Sequence, residues 1–357
     1  MHIRPFRTTA SPSRVSPVVR VTLAVLAAVM AAAPVRPLLA QHPLTPSPVL
    51  RMNNIPIGID FGGYLVVRER IRDDTSTFTV ERARLTIQTR PVPFLALRFQ
   101  GDLAAIGNTS ADTVPSFVLT DAYVQIADPD TTRSRLHPTL IVGQFKTPFS
   151  VEYLSPFSTL PTTVRSEAVE LLSTKRDIGV MGEVRDGRHF RLAGALVNGE
   201  GDNTTTNADG KQMAIGRLTL LPFSDLAVAV KWLGQGGDHR WGYDATWISG
   251  RWIVQGEVLR RNGPGDDGVP LDGSGGYALA LFKLRPWLQP VLKWEQVHTV
   301  STPTLGPRID QQLTHTTFGI NVVTLQEHVR TQIDYILKTR DPVSDADELQ
   351  IQVIGIF

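Results

Sequence analysis

The feature of this sequence that most constrains its fold is a two-residue alternation of apolar and polar side chains. In the stretch LAVAVKW (Leu226–Trp232) the large apolar residues occupy every second position, and LQIQV (Leu349–Val353) repeats the pattern near the C-terminus. Side chains alternate between the two faces of a β-strand, so this period indicates strands with one apolar and one polar face. Segments of this kind, each of about ten residues, recur from about residue 57 onward. The sequence therefore predicts an all-β fold.

The connections between these segments indicate how the strands are arranged. Some are tight, such as Ser249–Gly250 and Arg285–Trp287, and they alternate with longer polar stretches such as 199–211 and 301–311. Hydrocarbon cannot satisfy a backbone N–H or C=O, so a sheet that crosses a membrane must close and leave no edge. Short periplasmic turns, long external loops and about 16 strands predict a transmembrane antiparallel β-barrel. A soluble β-sandwich is the alternative, although one domain of that kind rarely sustains so many strands.

The N-terminus differs from the rest of the chain. Arginines precede an apolar run at 21–33, which is too short to span a bilayer by itself. We interpret residues 1–40 as a signal peptide, with a membrane anchor as the alternative, residues 41–56 as a short N-terminal periplasmic segment and residues 57–357 as the barrel. This organisation predicts export to the outer membrane of a Gram-negative type of cell.

The charge of the chain depends on that leader. Residues 1–40 contain five arginines and no acidic residue, so 31 Lys and Arg then stand against 34 Asp and Glu, and the formal net charge falls from +2 to about −3. A basic surface for nucleic acid is therefore not predicted. The chain contains no cysteine, so disulfides and thiolate metal ligands are excluded.

Motifs for chemistry are scarce. The stretch GPGDDG (Gly263–Gly268) matches a phosphate-binding pattern, but it lacks the strand–helix context and we interpret it as a loop. The eight histidines are scattered without metal-ligand spacing, and no GxSxG elbow occurs. We predict no enzyme activity, no metal and no cofactor. An outer-membrane barrel enzyme, or a structural or adhesion barrel, remains the alternative from another class.

Charged residues on the polar faces are the more informative signal. If the aliphatic side chains face outward, alternation places a set of basic residues on the inner wall of the barrel. The predicted pore-wall residues are Arg68, Arg70, Arg82, Arg84, Arg98, Lys231, Lys293 and Arg330. Acidic residues share this wall, among them Asp102, Asp121, Glu257, Glu295 and Asp334. Two interpretations stay open: the charges pair across strands around a water-filled bore, or they form an electropositive path for anions.

The stretch GQFKTPF (Gly143–Phe149) marks the end of one strand. Alternation predicts that Phe145 faces lipid or a neighbouring subunit and that Lys146 faces water. Pro148 removes a ladder donor and ends the pairing. Residues 150–176 then form the longest stretch without strand pattern in the barrel, at the position of the third external loop.

The composition of this third loop predicts that it folds into the bore. Its tyrosine, phenylalanine and leucine side chains need a surface on which to pack, which argues against a mobile external loop. The predicted constriction residues are Lys146, Arg165, Lys175 and Arg176.

Four stretches of the chain resemble one known family. They are GQFKTPFSVEYL (Gly143–Leu154), RDIGVMGEV (Arg176–Val184), VERARLTIQT (Val80–Thr89) and LTDAYVQI (Leu119–Ile126). In sequence and order they resemble the phosphate-selective porin O/P family of outer-membrane channels. The resemblance implies a barrel in outer-membrane lipid, a homotrimer, and passive diffusion of small hydrophilic solutes with a preference for anions such as phosphate. Because the mature chain is net acidic and has few lysines, a general, weakly selective porin is the alternative.

Overall fold

The computed structural model describes ten ranges of the chain: 49–52, 55–104, 117–128, 135–186, 189–207, 210–264, 269–303, 307–324, 327–342 and 345–357. All of them belong to one compact unit, Ser47–Phe357. The predicted signal peptide, 1–40, lies outside the described residues.

Strands dominate the described chain. Their bounds are β1 Val49–Met52, β2 Ile55–Arg72, β3 Thr75–Val92, β4 Leu95–Asp102, β5 Val118–Ala127, β6 His137–Lys146, β7 Arg176–Arg185, β8 Phe190–Val197, β9 Met213–Phe223, β10 Leu226–Gln235, β11 Asp238–Ser249, β12 Trp252–Pro264, β13 Pro270–Phe282, β14 Leu288–Ser301, β15 Ile309–Thr324, β16 Val329–Asp341 and β17 Glu348–Ile356. No described helix is both long and apolar enough to cross a membrane.

The strands close into a ring. Each strand from β2 to β17 pairs antiparallel with the next along the chain, and β17 pairs with β2, with Val353 opposite Val67. The short strand β1 adds to β2, with Val49 opposite Gly58. The ring β2–β17 is therefore a closed 16-stranded antiparallel barrel, and this prediction is confirmed.

The two faces of the strands differ as the alternation predicts. On β10 the side chains of Val228, Val230 and Trp232 are exposed, whereas Ala229 and Lys231 are buried. Their positions alternate, so the exposed apolar side chains share one face. In a closed barrel this face is the outer one, and an apolar outer band is the surface that a transmembrane barrel presents to lipid.

The longest connection in the described chain is 147–175, between β6 and β7, which we name the inner loop. It contains a helical turn α1 (Val151–Leu154), a 3₁₀ turn at Phe157–Thr159 and a short helix α2 (Glu167–Leu172). Serine side chains cap both helical segments, because Ser150 and Ser166 accept hydrogen bonds from backbone N–H groups of the first turn. The inner loop is therefore an ordered element with its own structure.

The barrel contains an apolar core inside the ring, which the alternation did not predict. The assignment of aliphatic side chains to the outer face is wrong for part of the wall, because Ile215 of β9, Leu279 of β13 and Leu313 of β15 are buried on the inner face. They pack in one cluster with Phe149 and Leu172 of the inner loop. The inner loop supplies the apolar surface that these inward side chains need.

Phe145 is a second correction to the predicted faces. It is predicted to face lipid or a neighbouring subunit, but only 2% of it is exposed, and it lies in the same inner core as Phe149 and Tyr153. The change follows Gly143, whose φ of +130° interrupts the regular alternation of β6. An added Cβ at Gly143 would lie 2.2 Å from the carbonyl oxygen of Ala122, so the backbone there has no room for a side chain.

Candidate functional site

The inner loop is held against the inner face of β12 and β14 by buried carboxylates. The Ser150 hydroxyl donates to Glu257 Oε2 at 2.9 Å, and the Lys293 ammonium donates to Glu152 Oε1 at 3.1 Å. Ser166 N also donates to Glu152, at 2.8 Å. Burial raises the pKa of Glu152, although Lys293 opposes the shift. The first half of the inner loop is thus fixed by a charged hydrogen-bond network.

The second anchor of the inner loop lies on β2 and β16. Thr163 N donates to Asp334 Oδ2 at 2.7 Å, and Arg68 Nη2 donates to the Thr163 carbonyl at 2.6 Å. Gln332 also donates to the carbonyl of Leu160, at 2.9 Å. The strands β2, β12, β14 and β16 lie at different places around the ring, so these contacts carry the inner loop across the bore.

Two predicted pore-wall lysines lie beneath the inner loop. Lys231 and Lys293 project inward as predicted, but their side chains are 0% and 2% exposed. Lys231 pairs with Asp244 at 2.8 Å and with Glu257. Their charges are therefore balanced by buried carboxylates and are not part of the water-exposed wall.

Two arginines on the inner face of the barrel, one on β9 and one on β11, also anchor the inner loop. Arg217 donates to the Phe149 carbonyl at 2.8 Å, and Arg240 donates to the Ser173 carbonyl at 2.8 Å. Arg240 was not among the predicted pore residues. The alternation along β11 could have identified it, because Arg240 lies an odd number of positions before the outward-facing Tyr243 and therefore faces inward. Arginine guanidinium groups suit this task because several donors leave one planar group.

Three of the four predicted constriction residues surround one aromatic ring. The Tyr153 ring centroid lies 5.7 Å from Lys146 Nζ, 4.7 Å from Arg165 Cζ and 5.8 Å from Arg176 Cζ. Arg176 also donates to the Tyr153 hydroxyl at 3.0 Å. Cations at these distances are attracted to the ring face. We name Lys146, Arg165 and Arg176 the constriction cluster.

Lys146 is held by backbone carbonyls at the end of α1. Its ammonium donates to the carbonyls of Leu154 at 3.1 Å and Ser155 at 3.0 Å. Arg165 Nη2 donates to the same Ser155 carbonyl at 3.3 Å, and burial lowers the pKa of Arg165. Within the described ranges, neither cation has a carboxylate at ion-pair distance, so no carboxylate balances either group.

Lys175, the fourth predicted constriction residue, is not among the cations that contact the Tyr153 ring. Its ammonium pairs with Glu170 at 2.7 Å, and 46% of the side chain is exposed. Partial burial works against the charged form, but the hydrogen bond and the charge of Glu170 raise the pKa of Lys175. The charge of Lys175 is thus balanced within the inner loop.

A row of arginines on β3 and β4 faces the constriction cluster, and we name Arg82, Arg84 and Arg98 the arginine wall. Arg84 Nε lies 3.0 Å from Asp102 Oδ2, and Arg98 Nε lies 3.2 Å from Asp121 Oδ2. The side chains of Arg82 and Arg98 are 36% and 28% exposed. They are therefore in contact with water.

The carboxylates beside these cations are fewer than the cations. Asp121 forms ion pairs with both Arg176 and Arg98, and Arg176 Nε lies 2.7 Å from its Oδ1. Asp102 pairs with Arg84 and also with Arg82, whose Nε lies 3.8 Å from Asp102 Oδ2. In the described residues, the arginine wall and the constriction cluster thus place six cations beside two paired carboxylates. This side of the bore has an excess of positive charge.

The remaining predicted wall residues are distributed more widely. Arg70 pairs with Glu348 at 2.7 Å and is 46% exposed. Arg330 donates to the Leu160 carbonyl at 3.4 Å, under the inner loop. Among the described residues, no group of three His, Cys, Asp or Glu side chains is arranged to hold a metal ion.

A comparison with protein families finds one match. Residues 53–222 match the family described as phosphate-selective porin O and P. The predicted family is confirmed over this stretch. The matched residues include the arginine wall, the constriction cluster and the whole inner loop. A search of curated proteins finds no match to the sequence.

Solved structures with the same fold are outer-membrane proteins. A loop L8 deletion mutant of OmpT from Vibrio cholerae has a TM-score of 0.62 and 12% identity, over 84% of this chain and 99% of that one. The outer membrane channel DcaP of Acinetobacter baumannii has a TM-score of 0.61 and 11% identity, over 84% and 97%. In-vitro folded OmpT in its trimer form has a TM-score of 0.60 and 11% identity, over 84% and 99%.

At these identities the structural likeness demonstrates the fold alone. Together with the family match, it supports an outer-membrane porin channel. The network of hydrogen bonds and ion pairs beneath the inner loop is a property of this chain's own residues.

Proposed function

We propose that this protein is an outer-membrane porin through which small hydrophilic solutes diffuse passively, with a preference for anions such as phosphate. The observation that carries the proposal is the charge excess on one side of the bore. The arginine wall and the constriction cluster place six basic groups beside Asp102 and Asp121. Rings and rows of such groups lower the barrier for an anion that loses hydration in a narrow passage.

Transport of this kind needs no covalent step, and we propose that the protein is not an enzyme. Lys146, Arg165 and Arg176 would act at the constriction, with Lys175 beside it and the arginine wall along the approach. Residues 1–40 would serve as the signal peptide. We also propose a homotrimer, since one protein of the same fold, Vibrio cholerae OmpT, is described in a trimer form.

Planar-bilayer recording tests the proposal. The purified protein should give discrete conductance steps, and a potassium chloride gradient should give a reversal potential on the anion-selective side. Arg98→Gln should move that potential toward cations, more strongly at low salt, because screening weakens as the Debye length grows. Arg285→Gln, at an exposed turn, is the matched control.

Each outcome of this experiment has a distinct meaning. Steps without anion preference would support a general, weakly selective porin. The absence of any conductance from a folded protein would contradict the porin proposal and favour a barrel enzyme or a structural or adhesion barrel.

A further inference from the structure

We propose that the passage beside the inner loop is amphipathic and favours organic anions, namely a carboxylate carried on a short apolar or aromatic body. This inference rests on the proposed function and specifies its substrate class. It follows from what lies next to the arginine wall on the inner face of the barrel.

The side chain directly across from Arg98 is aromatic. Arg98 of β4 and Tyr123 of β5 are opposite each other in the antiparallel register. Both lie on the inner face, and both are partly exposed. Directly opposed residues on adjacent strands have neighbouring side chains. A water-exposed cation and a phenol ring are therefore adjacent in the wall.

Three apolar side chains follow farther around the ring, where Ile141 is a diagonal neighbour of Tyr123 and stands directly opposite Gln125. Ile141 of β6 lies opposite Met181 of β7, and Met181 lies opposite Ala195 of β8. Tyr123, Ile141 and Met181 are partly buried at the edge of the inner core, whereas Ala195 is buried within it. We name Tyr123, Ile141 and Met181 the apolar strip.

The interior of a porin barrel is ordinarily polar, because it holds water. Part of the inward apolar surface in this barrel is explained by the inner loop, which covers it. The side chains of the apolar strip pack against the inner core but stay partly exposed, and Tyr123 adjoins Arg98 of the arginine wall. The exposed area of the apolar strip gives an inorganic oxyanion no stabilisation, whereas it stabilises the apolar part of an organic anion by removing it from water.

The test compares two anions of the same charge, acetate and benzoate, under bi-ionic conditions in planar bilayers with the full-length protein. In a wide aqueous pore their permeability ratio follows their mobilities in free solution, where benzoate is slower. We expect the benzoate-to-acetate ratio to exceed the mobility ratio by about fourfold, the effect of removing roughly one methylene equivalent from water.

Two variants place the effect on the apolar strip. Met181→Gln keeps the side-chain length, and Ile141→Thr keeps the branched shape, so each should return the ratio toward the free-solution value. Val142→Thr makes the same kind of change on the neighbouring outward position of β6 and should leave the ratio unchanged. Heat-modifiable gel mobility identifies any variant that fails to fold.

The outcomes separate this inference from the proposed function. Anion selectivity in chloride with a benzoate ratio at or below the mobility ratio would overturn the inference and leave the anion porin intact. An elevated benzoate ratio without chloride preference would support the inference and contradict the general anion preference. If the apolar strip only completes the core of the inner loop, the wild-type ratio will equal the mobility ratio. Absence of conductance would overturn both.

Discussion

At the scale of single residues, the charge that a side chain contributes to the bore depends on its partner. Lys146 and Lys175 were predicted together as constriction residues, but the structure balances them differently. Lys146 donates to two carbonyls, whereas Lys175 forms an ion pair with Glu170 at 2.7 Å. A carbonyl leaves the positive charge in place, and a carboxylate cancels it at distances beyond a few ångströms.

We predict that Lys146→Met shifts the reversal potential toward cations and that the double variant Lys175→Met with Glu170→Gln shifts it less. The reason is that Lys175 and Glu170 are nearly neutral as a pair, so removing both charges leaves the net charge of the bore almost unchanged. Reversal potentials in a potassium chloride gradient at low and high salt measure both effects, and the shifts should shrink as salt screens the charges. Equal shifts for the two variants would contradict this assignment.

The surroundings of Glu152 also change the affinity of its carboxylate for a proton. Burial raises the pKa of Glu152, so the folded protein binds this proton more tightly than the unfolded chain does. The resulting stabilisation is complete below the ordinary glutamate pKa and is lost as pH rises through the raised value. Acidification from neutral pH therefore favours the folded state through this group.

We predict that Glu152→Gln reduces the rise in thermal unfolding midpoint that accompanies acidification from neutral pH to about pH 5. Glutamine keeps an oxygen to accept from Ser166 N and has no proton to bind in this range. Circular dichroism melts in detergent at several pH values provide the measurement. Glu327→Gln, at an exposed turn, is the control; identical pH profiles for both variants would refute the argument.

At the scale of elements, the inner loop is fixed by buried charges contributed by the barrel wall. Glu152 and Lys293 are 3% and 2% exposed and face each other across the boundary between α1 and β14. A buried pair adds little net stability compared with apolar residues, but removing one partner leaves a buried charge without compensation. The inner loop should therefore be sensitive to the loss of either partner alone.

We predict that Lys293→Met lowers the free energy of unfolding by about 3–5 kcal/mol and increases current noise in the open channel. The double variant Glu152→Gln with Lys293→Met should recover part of the loss, because the carboxylate of Glu152 is then absent, while Glu295, the second partner of Lys293 at 3.4 Å, keeps His315 at 2.9 Å. Urea unfolding and single-channel recording measure the two effects. Lys175→Met removes a half-exposed pair and should cost at most about 1 kcal/mol; a similar loss there would contradict the role of burial.

At the scale of the whole molecule, the barrel is completed where its two ends meet. Phe357 and Gly63 exchange backbone hydrogen bonds, at 3.0 Å from Gly63 N and 3.1 Å from Phe357 N. A Cβ at Gly63 would lie 2.3 Å from the Arg84 carbonyl oxygen and 2.6 Å from Phe357 Cζ. The seam between β17 and β2 therefore requires a residue without a side chain.

We predict that Gly63→Ala destabilises the folded barrel by about 1–3 kcal/mol, the usual cost of overpacking. Gly58→Ala, on the same strand, is the matched control, because its added Cβ meets nothing within 4 Å. The folded fraction after heating, measured by gel mobility, compares the two variants. Equal stability would show that the seam relaxes around the methyl group.

The sequence carried much of the fold and part of the candidate site. The alternation in Leu226–Trp232 predicts which face of β10 is exposed, because side-chain direction in a strand follows from position alone. The length and apolar content of 150–176 predict an ordered third loop, because its apolar side chains need a surface on which to pack. The assignment of Phe145 to lipid failed because Gly143 interrupts the alternation, and a glycine in the sequence does not reveal its φ angle.

Sequence by itself thus determined the closed antiparallel barrel, since backbone satisfaction in hydrocarbon and two-residue alternation are local requirements. Only the tertiary structure decided which cations keep their charge. Lys231 and Arg98 follow the same inward pattern, yet the inner loop covers Lys231 and Glu257, whereas Arg98 stays partly exposed to water and shares the single carboxylate of Asp121 with Arg176. Charge depends on partners and water that come together across the ring, and no local pattern specifies these long-range neighbours.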